Sequence, residues 1–218
     1  MKSNYEDYYK NHYKINFTKE DVDEWNKWFD AQWRIISRRL TLKKDMKVLE
    51  IGPGFGGFYR LIKHIKGLKY LGIDLDPAIV KFTNDLFETN VFKYDSIENL
   101  NTKDKFDLIV AFEVLEHIER PSDVIDRICL SLKPGGIFFG TTPYPFKKNI
   151  VSDETHISVL HPDNWKRLFK RAGFKTVNVA PMSFAPFLWR INKKLNIRIP
   201  RYIKARGFVS TSLIYAKK

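Results

Sequence analysis

A cluster of glycines after a short apolar segment constrains this chain more than any other feature. Residues 48–51 have the apolar character of a buried strand and include one carboxylate, Glu50. Glycines follow at positions 52, 54, 56 and 57, and Phe58 then opens a helical pattern. A strand that runs through glycines into a helix brings bare backbone N–H groups close to a ligand, because a Cβ atom would block that approach. The sequence therefore predicts a strand–turn–helix unit that binds a ligand through its backbone.

Two cofactor classes use such a turn, the dinucleotides and S-adenosylmethionine. The dinucleotide pattern is G-x-G-x-x-G and requires no acid before it. The spacing here is Glu50-x-Gly52-x-Gly54-x-Gly56, which resembles the first motif of class I S-adenosylmethionine-dependent methyltransferases. The resemblance implies that the acid and the turn hold the amino-acid end of the cofactor. The alternative is a tight turn with a purely structural role, since glycine-rich turns between strands and helices occur in many folds.

Three residues after the second predicted strand continue the site. Asp74 ends that strand, and a carboxylate about 20 residues after a glycine turn binds ribose hydroxyls in dinucleotide folds. Leu75 is placed to lie against an adenine ring. Asp76 is better explained as the N-cap of the next helix, which begins with a proline. Capping is also the alternative explanation for Asp74.

The most specific resemblance lies farther along the chain. Residues 106–121 closely resemble the fourth motif of class I methyltransferases, where Phe112 and Glu113 would lie beside the methionine part of the cofactor. Before it, Asp95 and Ser96 follow the third predicted strand, at the position of the family's contact with the adenine amine. Asp and Ser also initiate turns, so this pair has a structural alternative.

These motifs identify the chain as a member of the class I methyltransferases, in the subgroup that contains the ubiquinone-pathway O-methyltransferases and many glycan-modifying enzymes. The alternation of strands and helices independently predicts a parallel α/β sheet. The expected fold is Rossmann-like, a mostly parallel seven-stranded sheet with helices on both faces, and the resemblance implies an antiparallel last strand. We expect an N-terminal helical arm at 1–45 with a helix at 21–40, and a methyltransferase domain at 46–218 with a basic insertion at about 182–206.

A second group of residues suggests where the acceptor is activated. Glu113, Glu116 and His117 are spaced to converge on one helical turn. The run resembles the magnesium site of ubiquinone-pathway O-methyltransferases and of enzymes that methylate the terminal ribose of small RNAs, where a further histidine completes the set. His156 would supply it here, with His161 close by. The alternatives are that His117 or His156 acts as a base or contacts the acceptor, or that these histidines are structural.

Composition restricts the cellular setting. The chain has 218 residues and a single cysteine, Cys129, so no internal disulfide can form. The N-terminus does not resemble a signal peptide, and we expect a cytoplasmic protein. The net charge is +13, and 14 of the 38 Lys and Arg residues lie beyond Asp163, where no Asp or Glu occurs. The charge excess therefore belongs to the C-terminal quarter, which could face an anionic partner or simply be a solvated basic surface.

The expected activity is methylation of a hydroxyl group on a small molecule, a sugar or a lipid-linked glycan. The basic insertion would then cover the active site or lie on an anionic membrane surface. The second hypothesis is methylation of RNA ribose, with the same insertion on phosphates. A third, from another class, is a non-catalytic protein that binds S-adenosylmethionine or acts as a scaffold. A dehydrogenase is the most distant alternative.

Overall fold

The computed structural model describes residues 18–38, 40–100, 105–151, 153–185, 188, 198–205 and 207–218. The helices and strands, in chain order, are α1 Lys19–Ile36, β1 Lys47–Ile51, α2 Gly57–Ile62, β2 Lys69–Asp74, α3 Pro77–Phe87, β3 Phe92–Tyr94, β4 Phe106–Phe112, α4 Pro121–Ser131, β5 Leu132–Pro143, α5 Lys147–Val151, α6 Pro162–Arg171, β6 Thr176–Phe184, β7 Arg198–Ile199 and β8 Val209–Lys217. A 3₁₀ turn, Leu115–His117, follows β4. No helix among these residues is long and apolar enough to cross a membrane.

The strands form one mixed sheet in the order β3-β2-β1-β4-β5-β8-β6-β7. Strands β1 to β5 pair in parallel, and β8 runs antiparallel between β5 and β6. This confirms the predicted Rossmann-like, mostly parallel sheet with an antiparallel last strand. The direction of strand addition reverses between β1 and β4. In open α/β sheets, ligands bind outside the carboxyl ends of the strands at such a switch point.

Several boundaries differ from the sequence-based expectation. The local sequence predicts a strand only at 137–142, after a Lys-Pro-Gly-Gly run that is typical of a helix end. Strand β5 instead begins at Leu132, directly after α4, because Leu132 pairs with Phe106; the register then shifts, and Ile137 pairs with Leu108. The Lys-Pro-Gly-Gly run lies between the two registers and supplies the extra residues that the shift requires. The local sequence shows the glycines, but it does not show that Leu132 pairs with Phe106 on β4 and so makes the segment part of the sheet.

The basic insertion is shorter than expected at its start. Residues 182–184 belong to β6, where they pair with the first residues of β8. Arg198–Ile199 adds an eighth strand, β7, to the seven expected. The remaining parts at 186–187, 189–197 and 206 lie outside the described residues, as do residues 1–17 of the expected N-terminal arm. The helix expected at 21–40 is α1.

Apolar layers cover both faces of the sheet. On one face, α4 and α6 pack against the strands through residues that include Ile125, Ile128, Trp165 and Phe169. On the other face, α1 and α2 contribute Ile36, Phe58 and Ile62. Strand β1 alternates between the two layers, since Val48 joins the second and Leu49 the first. Glu50 has the same parity as Val48, so the acid of the glycine motif points into the layer beneath α1 and α2.

Helix α1 is held directly against the glycine turn. A Cβ atom on Gly57 would lie 2.4 Å from the ring of Phe29, so this ring packs directly against the backbone of the glycine. Arg60 of α2 donates to Asn26 at 3.0 Å and also pairs with Asp30, both on α1. A small apolar cluster adds Val22 against Phe55, the residue between the second and third motif glycines. Helix α1 therefore packs on the glycine turn and restricts its movement.

The Gly57→Ala substitution should destabilise the protein by about 1–3 kcal/mol, as overpacking of a filled core does. Helix propensity favours alanine at this position, so the loss would come from the contact with Phe29 alone. Thermal and urea unfolding measure the change. The control is Phe29→Leu, alone and combined with Gly57→Ala: the smaller side chain, which lacks the ring, should recover part of the loss in the double variant. Additive losses would show that α1 does not press on the turn.

Candidate active site

The glycine turn connects β1 to α2 at the carboxyl edge of the sheet. Gly52, Gly54 and Gly56 have φ angles of 63°, 51° and 68°, in the left-handed region that favours glycine. Side chains would clash at two of them: a Cβ on Gly52 would lie 2.6 Å from Val114, and one on Gly56 would lie 2.6 Å from Phe87. Around Gly54, no atom of the described residues, apart from its two chain neighbours, comes within 4 Å of such a Cβ. The middle glycine is thus the point where a ligand can approach the backbone.

Glu50, the acid of the motif, is buried beneath this turn. Glu50 is 1% exposed, and its Oε2 accepts a hydrogen bond from the hydroxyl of Tyr70 on β2. Its Oε1 has no hydrogen-bond partner among the described residues. Burial raises the pKa of Glu50 to about 8, even though the Tyr70 hydrogen bond lowers it. A buried carboxyl with one unsatisfied oxygen is a suitable partner for a cationic group.

Asp74, at the end of the neighbouring strand β2, binds the backbone of the glycine turn. Its Oδ2 accepts from the Gly54 amide at 3.3 Å, and its Oδ1 accepts from the Asp76 amide at 3.0 Å. Burial raises its pKa to about 6. Each carboxylate oxygen keeps a second lone pair, so both can still accept from hydroxyl groups. Asp76 is the N-cap of α3, accepting from Ala78 at 2.8 Å, which confirms the capping prediction for Asp76.

The other predicted adenosine contacts lie next to Asp74. Leu75 is exposed over 52% of its surface, so its side chain is available to a ligand. The Asp95 amide donates to the Asp74 carbonyl at 3.1 Å, which places the two strand ends side by side. The Asp95 carboxylate accepts from the amide of Ser96 at 2.8 Å and from the side chain of Asn99 at 3.1 Å. Asp95 and Ser96 therefore do form a turn, which also fixes the carboxylate at the edge of the site.

Phe112 and Glu113 have different surroundings. The ring of Phe112 is in the core, with its centroid 5.3 Å from that of Phe29 and 5.4 Å from that of Phe58. It supports the site as packing, and cofactor contact through its ring stays a prediction. Glu113 has a φ of 54°, a strained conformation for a residue other than glycine. Its Oε1 accepts from the Thr211 hydroxyl at 2.9 Å.

Three of the four residues predicted to share a metal come together. One ligand atom each of Glu116, His117 and His156 lies within 4.8 Å of the others. Glu113 is not in this group, because the turn directs its carboxylate to Thr211 on β8. The loop that carries His156 is tied to the 3₁₀ turn by Ser158, whose amide donates to the Glu116 carbonyl at 2.8 Å. His161 is also outside the group, as the N-cap of α6.

Hydrogen bonds determine which ring nitrogens of the histidines are free. Nδ1 of His156 lies 2.6 Å from the Asn149 carbonyl, so it must carry the proton. The Thr155 hydroxyl donates to Asp153 at 2.6 Å and therefore accepts from Nδ1 of His117, 2.7 Å away. Both neutral rings then have Nε2 as a lone-pair donor. Holding Nδ1–H in a hydrogen bond is how proteins orient histidines that bind metals or act as bases.

Glu116 is the buried acid of this group, and its Oε1 lies 3.9 Å from Nε2 of His117. It is 0% exposed, and neither carboxylate oxygen has a hydrogen-bond partner among the described residues. Burial, and next the negative charge of Glu113, raise the pKa of Glu116 well above its usual range. Burial, and next the proximity of His156, lower the pKa of His117. An orphaned buried carboxyl beside two lone-pair nitrogens fits a divalent ion, and its mixed N and O donors suit Mn²⁺ or Zn²⁺ better than the oxygen-preferring Mg²⁺.

Four supporting residues have no signal in the sequence that would assign them a role. Tyr70, Thr155 and Thr211 act through partners that are distant in the chain, such as Thr155 and His117, 38 positions apart. Asp153 acts through its near neighbour Thr155. Only the run Asp153-x-Thr155-His156 hints at a polar turn next to a candidate histidine.

Comparison with known proteins agrees with this geometry. Residues 26–179 match the protein family described as "Methyltransferase domain". The chain is 28% identical to the ubiquinone biosynthesis O-methyltransferase of Xanthomonas euvesicatoria pv. vesicatoria (strain 85-10), over 84% of this chain and 91% of that protein. It is 27% identical to the protein of the same name from Coxiella burnetii (strain Dugway 5J108-111), over 70% of this chain and 73% of that protein.

Solved structures share the fold. A SAM-dependent methyltransferase from Archaeoglobus fulgidus superposes with a TM-score of 0.67 at 21% identity, covering 99% of this chain and 100% of that one. Phosphoethanolamine N-methyltransferase 2 of Haemonchus contortus, solved in complex with S-adenosyl-L-methionine, gives 0.69 at 18% identity, with 97% and 59% covered. The family match spans both the glycine turn and the cluster of Glu116, His117 and His156. The chain belongs to the methyltransferase domain family and is a class I S-adenosylmethionine-dependent methyltransferase.

Proposed function

We propose that this enzyme methylates a hydroxyl group of a small-molecule, sugar or lipid-linked acceptor, and that the hydroxyl is deprotonated at the cluster of Glu116, His117 and His156. The observation that carries the proposal is this cluster of two oriented Nε2 atoms and a buried carboxyl. Glu116 and His117 follow β4, the strand next to the one that bears the glycine turn, and His156 lies in the loop after α5. A hydroxyl needs such help, because it is a weak nucleophile until it loses its proton. The relatives named ubiquinone biosynthesis O-methyltransferase support an oxygen acceptor.

The cofactor's place follows from the turn and the strand ends. Glu50 and the bare backbone at Gly52 and Gly54 would hold its amino-acid end, and Gly56 starts the helix behind it. Asp74 would accept from the ribose hydroxyls, while Leu75, Asp95 and Ser96 would border the adenine. Glu113 would lie beside the methionine part. Bound S-adenosylmethionine supplies a methyl group on a positively charged sulfur, already activated for in-line attack.

The cluster can remove the acceptor's proton in two ways. Without an ion, Nε2 of His117 or His156 takes the hydroxyl proton as general base, and the oxygen attacks as the proton leaves. With a divalent ion, Glu116, His117 and His156 would hold it, and its charge would lower the pKa of a hydroxyl nearby. The products in both cases are the methyl ether, S-adenosylhomocysteine and one proton.

The basic C-terminal quarter bears on the acceptor class. Its 14 Lys and Arg residues have no acidic counterpart beyond Asp163. A lipid-linked acceptor at an anionic membrane surface would use this charge, as would RNA, whose ribose hydroxyl presents the same chemistry. The RNA alternative rests on this charge and on the resemblance of the run from Glu113 to His117 to enzymes that methylate RNA ribose. We place the enzyme in the cytoplasm, with peripheral membrane contact where the acceptor is a lipid.

The acceptor class is tested by transferring labelled methyl groups from S-adenosylmethionine to a cell extract and then digesting the products with nuclease. The proposal predicts label that survives nuclease, partitions with small molecules, glycans or lipids, and resists the mild alkali that hydrolyses methyl esters. Label released by nuclease would support RNA methylation instead. A heat-inactivated enzyme sample is the control.

Replacing His117 or His156 by alanine should lower kcat by about 10²–10⁴, the usual contribution of a general base. The dissociation constant of S-adenosylmethionine should stay nearly unchanged, because neither ring belongs to the glycine turn. His161→Ala is the matched control, since this histidine is nearby but caps α6. The cluster is not the site of deprotonation if turnover survives both substitutions.

Metal binding is measured directly by titrating the chelator-treated protein with Mn²⁺, Zn²⁺ and Mg²⁺ in a calorimeter. We expect Mn²⁺ or Zn²⁺ to bind more tightly than Mg²⁺, because two of the three ligands are imidazoles. Glu116→Gln should abolish tight binding without lowering the melting temperature, since it removes a buried acid that lacks a partner. If the wild type and Glu116→Gln bind the ion equally, or if the enzyme is fully active in the presence of chelator, the metal route is wrong and deprotonation by a histidine is the remaining route.

A further inference from the structure

A buried acid–phenol pair lies beneath the glycine turn. Glu50 on β1 is in register with Gly72 on β2, and Tyr70 precedes Gly72 by two positions on the same face of the sheet. A Cβ on Gly72 would lie 3.0 Å from the Oη of Tyr70. The missing side chain at position 72 therefore opens the space through which the phenol reaches across to the Oε2 of Glu50.

The ring of Tyr70 is fixed by other aromatic side chains. Its centroid lies 4.7 Å from that of Tyr59 on α2 and 5.6 Å from that of Phe92 on β3. The phenol therefore has one direction in which to donate, toward the Oε2 of Glu50. One oxygen of the carboxyl is fixed, and the other, Oε1, has no hydrogen-bond partner among the described residues although Glu50 is 1% exposed.

We propose that Tyr70 is a positioning residue for cofactor binding: its hydroxyl holds one oxygen of Glu50 so that the other receives the ammonium group of S-adenosylmethionine, and Glu50 releases a proton as the cofactor binds. The inference rests on the cofactor of this enzyme and is independent of the acceptor proposed above. The phenol–carboxyl bond makes this buried acid easier to deprotonate, so that a bound ammonium can convert it to the carboxylate.

The charges around Glu50 determine the direction of the proton. Among the described residues, β2 presents Tyr70 and Asp74 to it, α2 presents Tyr59 behind Tyr70, and its partner on β4 is the apolar Val110. None of these is a cation. Burial therefore dominates and holds the pKa of Glu50 at about 8 in the free enzyme, so the carboxyl is mostly protonated at pH 7. A bound ammonium favours the carboxylate, and the proton passes to the buffer.

Deprotonation of Glu50 couples the affinity for S-adenosylmethionine to the pH, and the direction of this dependence can be measured. Below pH 8 each unit fall in pH should weaken cofactor binding by up to about tenfold, because more of Glu50 must be deprotonated for the ammonium to bind. The cofactor's own amino group has a pKa of about 7.7, so it is mostly charged from pH 6.0 to 7.0 and only partly charged at pH 7.5; the slope is therefore determined from the three lower pH values. Tyr70→Phe removes the bond that lowers the pKa of Glu50, and the affinity at pH 7 should fall by about tenfold.

The experiment is isothermal titration of the full-length enzyme with S-adenosylmethionine at pH 6.0, 6.5, 7.0 and 7.5, in two buffers with different ionisation enthalpies. The wild type should release close to one proton per cofactor at pH 7. Tyr70→Phe should bind about tenfold more weakly, with kcat at saturating cofactor retained. The matched control is Tyr59→Phe, one ring away in the same aromatic cluster, and it should behave as the wild type does.

Glu50→Gln keeps the experiment decisive if Tyr70→Phe unfolds. The amide can still accept from Tyr70 but cannot titrate, so proton release and the pH dependence of affinity should both disappear. Binding that releases no proton from the wild type, or equal affinities for Tyr70→Phe and Tyr59→Phe, would overturn the proposal while leaving the methyltransferase assignment intact. A wild type that binds no S-adenosylmethionine would instead contradict the cofactor itself.

Discussion

The left-handed backbone of the glycine turn between β1 and α2 is the constraint on which the site depends. Side chains on both flanks fill the space that a Cβ would need, Val114 at Gly52 and Phe87 at Gly56, whereas the described residues leave the space over Gly54 open. The same turn receives α1 through the contact of Phe29 with Gly57. One run of glycines therefore allows the protein to pack tightly against the turn and leaves backbone N–H groups that a ligand can approach.

Buried carboxyls are the second theme of the site. Glu50, Asp74 and Glu116 all have pKa values raised chiefly by burial, and Glu50 and Glu116 retain carboxyl oxygens without hydrogen-bond partners among the described residues. Protein interiors seldom leave such groups unsatisfied unless a ligand is to satisfy them. A cofactor with both an ammonium and a sulfonium group is the kind of cation that Glu50 can stabilise, and a divalent ion is the kind that Glu116 can.

The sequence predicts most of what depends on local pattern. The strand–turn–helix unit, the cap at Asp76 and the parallel sheet all follow from periodicity, glycine spacing and a proline. The approach of His156 to His117 follows only from the family resemblance, since 38 intervening residues must fold to bring them together. Glu113 could not be separated from Glu116 in advance, because its left-handed φ angle breaks the helical spacing on which the convergence argument relied.

Other features depend on long-range packing and leave no local mark. The ring of Phe112 packs against α1, which lies more than 70 positions earlier in the chain. Tyr70 reaches Glu50 because a glycine stands between them on the sheet, a relation visible only once the strand register is known. The extension of β6 and the short β7 likewise follow from pairing with distant strands, where residue propensities have little influence.

A crystal structure of the enzyme with S-adenosylhomocysteine tests the central claim most directly, because it shows where the cofactor's sulfur points. The account predicts the amino group at Oε1 of Glu50, the ribose at Asp74, and the sulfur facing the cluster of Glu116, His117 and His156 across a space that accommodates an acceptor oxygen. A sulfur directed away from that cluster, or an amino group that does not contact Glu50, would contradict it.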